Sequence, residues 1–160
     1  MRNGTTAERT SDCELVIKRM VSGPPRLVFE AWTKAELMRQ WWTPKSLGMT
    51  MLSCELDVRV GGGYRLVFQF GEGEPMAFFG KYLEVVPPSR LVWTNDEQGE
   101  AAQSVTTVTF EASGAKTLLT MHERHPSKEA LDAALASGVC EGTQETFQQL
   151  EELISGLVAA

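Results

Sequence analysis

The sequence predicts a single α+β domain in which a curved antiparallel sheet of seven strands packs against one long C-terminal helix. Segments in which apolar and polar residues alternate follow one another, with short turns between them, through the middle of the chain. A long amphipathic segment, Ser127–Leu157, then follows the last of them. Because a sheet that is apolar on one side needs a cover for that side, this segment is expected to lie across the sheet.

The first elements are a tail, a strand and two short helices. Residues 1–12 are polar and are expected to form a disordered tail, which leaves 13–158 as the domain. Glu14–Met20 alternates with the two-residue period of a strand and ends at a Ser-Gly-Pro-Pro turn. A first helix follows Pro25, and a second is predicted over Lys34–Trp42.

Six more strands are predicted, separated by Gly-rich, Pro-rich or polar turns. One of these turns is Asp96–Ala102. Along Tyr64–Phe70 the aromatic residues and Leu66 share one face, which is expected to look inward. The six strands are Met49–Val58, Tyr64–Phe70, Met76–Val86, Arg90–Asn95, Ser104–Ala112 and Lys116–Glu123.

The C-terminal segment has unusually small side chains on its apolar side. Ser127 is a favourable residue to cap its start. Ala134, Gly138 and Gly142 lie along one edge of the apolar face at a spacing of four. Since each glycine inside a helix costs roughly 1 kcal/mol relative to alanine, the pattern indicates either very close backbone contact or space that is left empty.

Composition excludes several classes of function. The 160 residues are 42% hydrophobic and carry a net charge of −6, with scattered basic residues, which argues against binding of nucleic acid. Three widely spaced cysteines indicate free thiols and a reducing compartment, so a cytoplasmic protein is expected. No apolar run is long enough to span a membrane.

Four sequence words, in order, resemble the START-like superfamily. They are Val-Phe-Glu-Ala-Trp-Thr within Pro25–Trp42, then Gln-Trp-Trp-Thr-Pro, then Glu55–Gly62, then Val86–Thr94. The likeness is to the branch of homologues of the C-terminal domain of the heat-shock-protein ATPase activator, also called SRPBCC or AHSA-like proteins. It covers residues 13–158 and implies a helix-grip fold with a deep hydrophobic pocket between the sheet and the last helix.

The chain departs from this branch at the last helix. Members of the branch usually have Gly-Trp where this chain has Gly138-Val139 and, one turn later, Gly142-Thr143. The missing indole predicts a pocket beside these residues that is larger than is usual in the branch.

An aromatic set is the candidate lining of such a pocket, although ordinary core packing is the alternative for each member. Trp41 and Trp42 are not expected to face inward together, so one of them is expected at the rim of the opening or at a partner surface. The predicted ligand-binding residues are Trp32, Trp41, Phe68, Phe70, Phe79, Trp93, Met121, Glu123, Gly138, Val139 and Gly142.

Polar candidates are fewer. Glu123 continues the inward parity of Met121, which would place a carboxylate near the pocket mouth, and the alternative is a solvated strand end or a salt bridge to arginine. Arg59, Arg65 and Lys81 are further inward candidates. His122 and His125 are too few for a zinc site and are expected at the surface. The glutamates of the last helix are expected to form a solvated face, with docking of a basic partner as the alternative.

The leading hypothesis is binding of a small hydrophobic or aromatic molecule, with no metal, cofactor or covalent step. Enzymes related to polyketide cyclases and aromatases are one alternative, and two or more converging inward polar groups would favour it. The other is an interaction module that acts on a chaperone ATPase, which would need an exposed apolar or charged patch. A second copy of the chain is a further partner that the sequence leaves open.

Overall fold

The computed structural model describes residues 4–96, 99 and 103–159, and shows a curved, open antiparallel sheet covered on one side by helices. The described strands pair in the order β1-β2-β8-β7-β6-β5-β4-β3. They are β1 Thr6–Arg9, β2 Glu14–Val21, β3 Met49–Leu56, β4 Gly63–Phe70, β5 Met76–Val86, β6 Arg90–Asn95, β7 Ser104–Ser113 and β8 Lys116–Arg124. The predicted α+β class and helix-covered antiparallel sheet are therefore confirmed, with eight strands instead of seven.

The additional strand is β1, which lies within the segment 1–12 that was expected to be a disordered tail; Thr6–Arg9 of this segment is a strand. Thr6–Arg9 pairs with β2 along the sheet edge, although all four of its residues are exposed. Backbone pairing with β2 holds this strand in the sheet without burial of its side chains. Its sequence therefore shows no apolar alternation. Arg9 also forms an ion pair of 2.7 Å with Asp132.

Two helices lie between β2 and β3, as the sequence predicts. They are α1 Pro25–Thr33 and α2 Ala35–Met38, and a 3-10 turn follows at Lys45–Leu47. The second helix is much shorter than the predicted Lys34–Trp42, because the chain turns after Met38 and buries Trp41 completely. The Trp41 indole Nε1 donates a 3.0 Å hydrogen bond to the carbonyl of Ala31.

The C-terminal segment forms two helices, so the single helix predicted over Ser127–Leu157 is wrong. They are α3 Lys128–Ala136 and α4 Val139–Ala159. Gly138, between them, has φ +91°, a left-handed conformation that a helix interior does not contain and that glycine adopts without strain. The predicted cap is confirmed, since Ser127 Oγ accepts a hydrogen bond from the amide of Ala130.

The C-terminal half of α4 completes the main core. Leu150 and Ile154 are fully buried among residues of β2, β8 and α1. The approach of α4 to the β2–α1 turn is very close, since a Cβ added to Gly23 would collide with Ile154 Cγ2. This half of the helix therefore anchors the chain to the sheet.

Polar side chains of α4 form hydrogen bonds with the neighbouring loops. Glu145 accepts hydrogen bonds from the backbone amide and the hydroxyl of Ser46, and Glu151 accepts one of 2.8 Å from the amide of Ser22. Two of the glutamates that were expected to form a solvated face are thus bound within the fold. Their sequence spacing gives no sign of these distant partners.

Two observations concern the rest of the chain. The predicted polar turn Asp96–Ala102 falls mostly outside the described residues. Among the described helices, none has the length and apolar character needed to cross a membrane.

Candidate functional site

A cavity of about 680 Å³ lies between the concave face of the sheet and the two C-terminal helices. The sheet supplies its floor, α3 and the first half of α4 supply its roof, and the segments after α2 and β8 supply its sides. Its wall is formed by Trp42, Pro44, Met49, Phe68, Phe78, Trp93, Asn95, Ser104, Thr106, Met121, Glu123, His125, Pro126, Ala130, Ala133, Ala134, Ser137, Val139, Gly142, Thr143, Thr146 and Phe147.

The roof leaves this space open because its residues are small. Ala130, Ala133 and Ala134 of α3 and Gly142 and Thr143 of α4 face the floor where larger side chains would reach it. A Cβ added to Gly142 would have no atom within 4 Å. The expected shortage of bulk at the closing helix is therefore present, and it extends into α3.

Aromatic and sulphur-containing side chains form the apolar part of the wall. The rings of Phe68 and Phe78 lie 4.8 Å apart, centroid to centroid, and Trp93 lies on the neighbouring strand β6. Phe78 is 38% exposed, which places it where the cavity opens. Such a lining favours planar or branched apolar molecules.

A polar strip interrupts the apolar lining on three adjacent strands. Asn95 pairs in register with Ser104, and Thr106 pairs with Glu123, so all four lie close together. The side-chain amide of Asn95 donates a 2.9 Å hydrogen bond to Thr106 Oγ1. His125 Nε2 lies 3.2 Å from Glu123 Oε1, and the two side chains are only 14% and 17% exposed.

Six of the residues predicted from the sequence lie in this wall. The inward parity assigned to Glu123 is correct, and Val139 and Gly142 lie in the roof as the sequence indicates. Their role as ligand contacts stays a prediction. The six are Phe68, Trp93, Met121, Glu123, Val139 and Gly142.

The other five predicted residues are not in this wall. Trp41 packs in the core, Phe79 lies exposed on the outer face of β5, and Phe70 is exposed at the end of β4. Gly138 provides the joint between α3 and α4. Trp32 instead lines an adjoining space of about 30 Å³, and its buried indole nitrogen has no hydrogen-bond partner among the described residues.

Other expectations about polar residues also need correction. Arg59, Arg65 and Lys81 are exposed instead of inward, and Arg59 pairs with Asp57. His125, which was expected at the surface, lies in the cavity wall, whereas His122 is partly exposed and pairs with Glu14. His125 continues the parity of Glu123, a signal that the sequence contained.

Several wall residues were missed by sequence reasoning. Phe78 shares the parity of Tyr82, which is buried, so its inward direction could have been inferred. The expectation that Trp41 and Trp42 cannot both face inward is wrong, because Trp41 is completely buried and Trp42 packs against the core and lines the cavity. Ala134 was part of the small-residue edge noted in the sequence, whereas Ala130 and Ala133 carried no signal because small residues occur on any helix surface.

The burial and the charges around Cys140 disfavour reaction of its thiol. Burial raises the pKa of the Cys140 thiol, and the carboxylates of Glu141 and Glu123 raise it further, so the thiol is a weak nucleophile. The three cysteines are free. In the part of the chain that the structure describes, no three His, Cys, Asp or Glu side chains are grouped as a metal site requires.

A family profile described as "Activator of Hsp90 ATPase homolog 1-like protein" matches residues 22–155. The chain belongs to this family. Its fold and its relatives place it in the AHSA-like branch of the START-like, or SRPBCC, superfamily, which the sequence words resemble. No curated protein matches the sequence significantly.

Solved structures of similar proteins agree with this assignment. A Nitrosomonas europaea protein is 28% identical with a TM-score of 0.85, and the match covers 95% of this chain and 100% of that one. A Chromobacterium violaceum protein is also 28% identical, with a TM-score of 0.76 over 88% and 96% of the two chains. An AHSA1-like protein from Aeromonas hydrophila is 16% identical with a TM-score of 0.71 over 92% and 95%, which supports the fold alone.

Proposed function

We propose that the protein binds a small hydrophobic or aromatic molecule in the cavity between the sheet and the helices α3 and α4. The observation that carries the proposal is the cavity of about 680 Å³, which lies within the range of sites for small molecules. Its aromatic floor and small-residue roof leave room for a ligand that buries apolar surface. Burial of that surface would contribute about 25 cal/mol per Å².

The glycine in the roof gives a direct test with a matched control. Gly142→Phe projects a ring into the cavity, whereas Gly156→Phe adds the same ring to an exposed position of the same helix. Fluorescence titration with pyrene should show binding to the wild type and to Gly156→Phe. Gly142→Phe should bind at least ten-fold more weakly.

Denaturing extraction of the purified protein, followed by mass spectrometry, provides an independent readout. A co-purifying apolar compound should be present in the wild type and depleted in Gly142→Phe. Equal pyrene affinity in all three proteins, or no binding of pyrene and no extracted compound, would contradict the proposal.

Proton-transfer catalysis is a second candidate, supported by the convergence of Glu123 and His125 at 3.2 Å in the cavity wall. A carboxylate that orients an imidazole is a familiar arrangement for general acid–base chemistry. An enzymatic role requires turnover of a bound compound that Glu123→Gln abolishes without loss of affinity. The chaperone-activator alternative stays a prediction, for which the exposed aromatic residues Phe70 and Phe79 offer the nearest surface feature.

A further inference from the structure

The position of Glu123 in the sheet is unusual for a carboxylate. In register, its neighbours are Leu15 on β2 and Thr106 on β7, which are 1% and 3% exposed. The neighbouring row on the same face is apolar and includes Met121, Val108 and Leu91. A carboxylate in such surroundings is costly unless hydrogen bonds compensate for the water it has lost.

The fold supplies only some of the hydrogen bonds that would compensate the Glu123 carboxylate for lost water. Among the described residues, His125 is the hydrogen-bond partner of Glu123, through Oε1. By contrast, the two oxygens of Glu145 accept from the amide and the hydroxyl of Ser46. A carboxylate offers about four acceptor positions. Oε2 of Glu123 has no hydrogen-bond partner among the described residues, and the Glu123 side chain lines the cavity.

The hydrogen-bonding character of the free positions determines what they can bind. An ionised carboxylate accepts only. A neutral imidazole that donates its Nε2 hydrogen to that carboxylate keeps an acceptor at Nδ1. Thr106 Oγ1 already accepts from Asn95, so its own hydrogen is free to turn toward a neighbouring acceptor. The Glu123 carboxylate therefore offers acceptors only, whereas the neighbouring Thr106 hydroxyl retains one donor.

We propose that Glu123, oriented by His125, binds a hydrogen-bond donor, a hydroxyl or an amino group, carried at one end of an aromatic ligand. This inference rests on the proposed binding function and specifies the chemical class of the ligand. The aromatic body lies against the rings of Trp93, Phe68 and Phe78, and its donor group reaches Glu123 Oε2. A ligand with a carboxylate at the same end is disfavoured by repulsion between two negative charges.

The test compares pyrene, hydroxypyrene and pyrenecarboxylate by fluorescence titration. The quantity of interest is the ratio of the Kd for pyrene to the Kd for hydroxypyrene, in wild type and in Glu123→Leu. The ratio cancels effects of the substitution on the apolar part of the site. It should fall about ten-fold in Glu123→Leu, which corresponds to about 1.4 kcal/mol for one hydrogen bond to a charged group.

The control is Glu111→Leu, the same substitution on strand β7 at an exposed residue outside the cavity wall, which should leave the ratio unchanged. Pyrenecarboxylate should bind more weakly than hydroxypyrene to the wild type and should gain affinity in Glu123→Leu. Binding of pyrene by Glu123→Leu also reports that the variant is folded. If it is not folded, Glu123→Gln serves instead, with a smaller fall in the ratio because its amide retains one acceptor.

Two negative results have different meanings. If pyrene and hydroxypyrene bind but their ratio is the same with and without the Glu123 carboxylate, the inference is wrong and cavity binding stands. If no member of the series binds to the wild type, the inference is wrong, and cavity binding is contradicted with it when denaturing extraction also yields no apolar compound.

Discussion

The side-chain amide of Gln149 donates a 2.9 Å hydrogen bond to the backbone carbonyl of Trp41. The same nitrogen donates to the carbonyl of Thr43, and the amide oxygen accepts from the backbone N–H of Lys45, each also at 2.9 Å. One buried side chain of α4 thereby satisfies three backbone groups of the loop on either side of Trp42. Since Trp42 lines the cavity, Gln149 fixes part of the cavity wall.

Loss of this amide should destabilise the protein strongly. Gln149→Leu leaves the backbone groups of Trp41, Thr43 and Lys45 without their partner, so the free energy of unfolding should fall by about 2 kcal/mol or more. The control is Gln40→Leu, because the Gln40 amide is exposed and bonds only within its own turn. Urea unfolding of both variants gives the comparison. Equal stability of the two would show that the loop does not depend on Gln149.

The two glycines of the C-terminal helices should respond to alanine with opposite signs. Gly142 is helical and has open space around it, so Gly142→Ala should raise the free energy of unfolding by about 1 kcal/mol. Gly138 has φ +91°, so Gly138→Ala should lower it by about 1 kcal/mol or more. Thermal or urea unfolding measures both. A stabilising effect at Gly138 would contradict the break between α3 and α4.

Glu151 should contribute to the dependence of stability on pH. Burial raises the pKa of this carboxyl, but hydrogen bonds from Ser155 and from the amide of Ser22 outweigh burial, and the pKa lies below its ordinary value of 4.5. A carboxyl whose pKa is lowered by folding stabilises the protein fully above its unfolded pKa. That contribution is lost as the pH falls from 4.5 through the lower folded value.

Glu151→Gln should therefore reduce the free energy of unfolding at pH 7 by about 0.5–1 kcal/mol. The difference from wild type should shrink as the pH falls below 4.5. Urea unfolding across this range measures it, with the exposed neighbour Glu152→Gln as the control. A difference that stays constant with pH would mean that ionisation of Glu151 does not contribute.

The close approach of Gly23 to Ile154 can be tested with a double-mutant cycle. The alanine methyl of Gly23→Ala would collide with Ile154 Cγ2, so the helix or the turn must shift, at a cost of about 1–3 kcal/mol. Ile154→Ala alone leaves a cavity and costs about 2–5 kcal/mol. The double variant should be less destabilised than the sum by at least about 1 kcal/mol. Additive effects would contradict this packing.

The parts of the fold that depend on local periodicity could be predicted from the sequence. Met76–Val86 and Arg90–Asn95 match the observed strands β5 and β6 because alternation and flanking turns mark their ends. The cap at Ser127 and the inward parity of Glu123 were also accessible, since both follow from a residue's position in its own element.

The parts that depend on distant partners could not be predicted. Strand β1 is held by backbone pairing along an edge, and its four exposed residues carry no pattern. The hydrogen bonds of Gln149 and Glu145 reach residues about a hundred positions away, and a polar residue on a helix gives no indication of such a partner. Gly138 was predicted to lie inside one long helix, because the spacing of residue types along a sequence does not reveal a backbone dihedral angle.

The first half of α4 lines the cavity and its second half packs into the core, so substitutions in the two halves should have different effects. Leu150 and Ile154 are committed to the interior, and substitutions there threaten the whole domain. The roof of the cavity is built from small side chains, including Ala133 and Ala134 of α3 and Thr143 of α4. Exchanging these residues would change the shape of the cavity and leave the buried residues of the core in place, so cavity shape and stability can be altered separately at this helix pair.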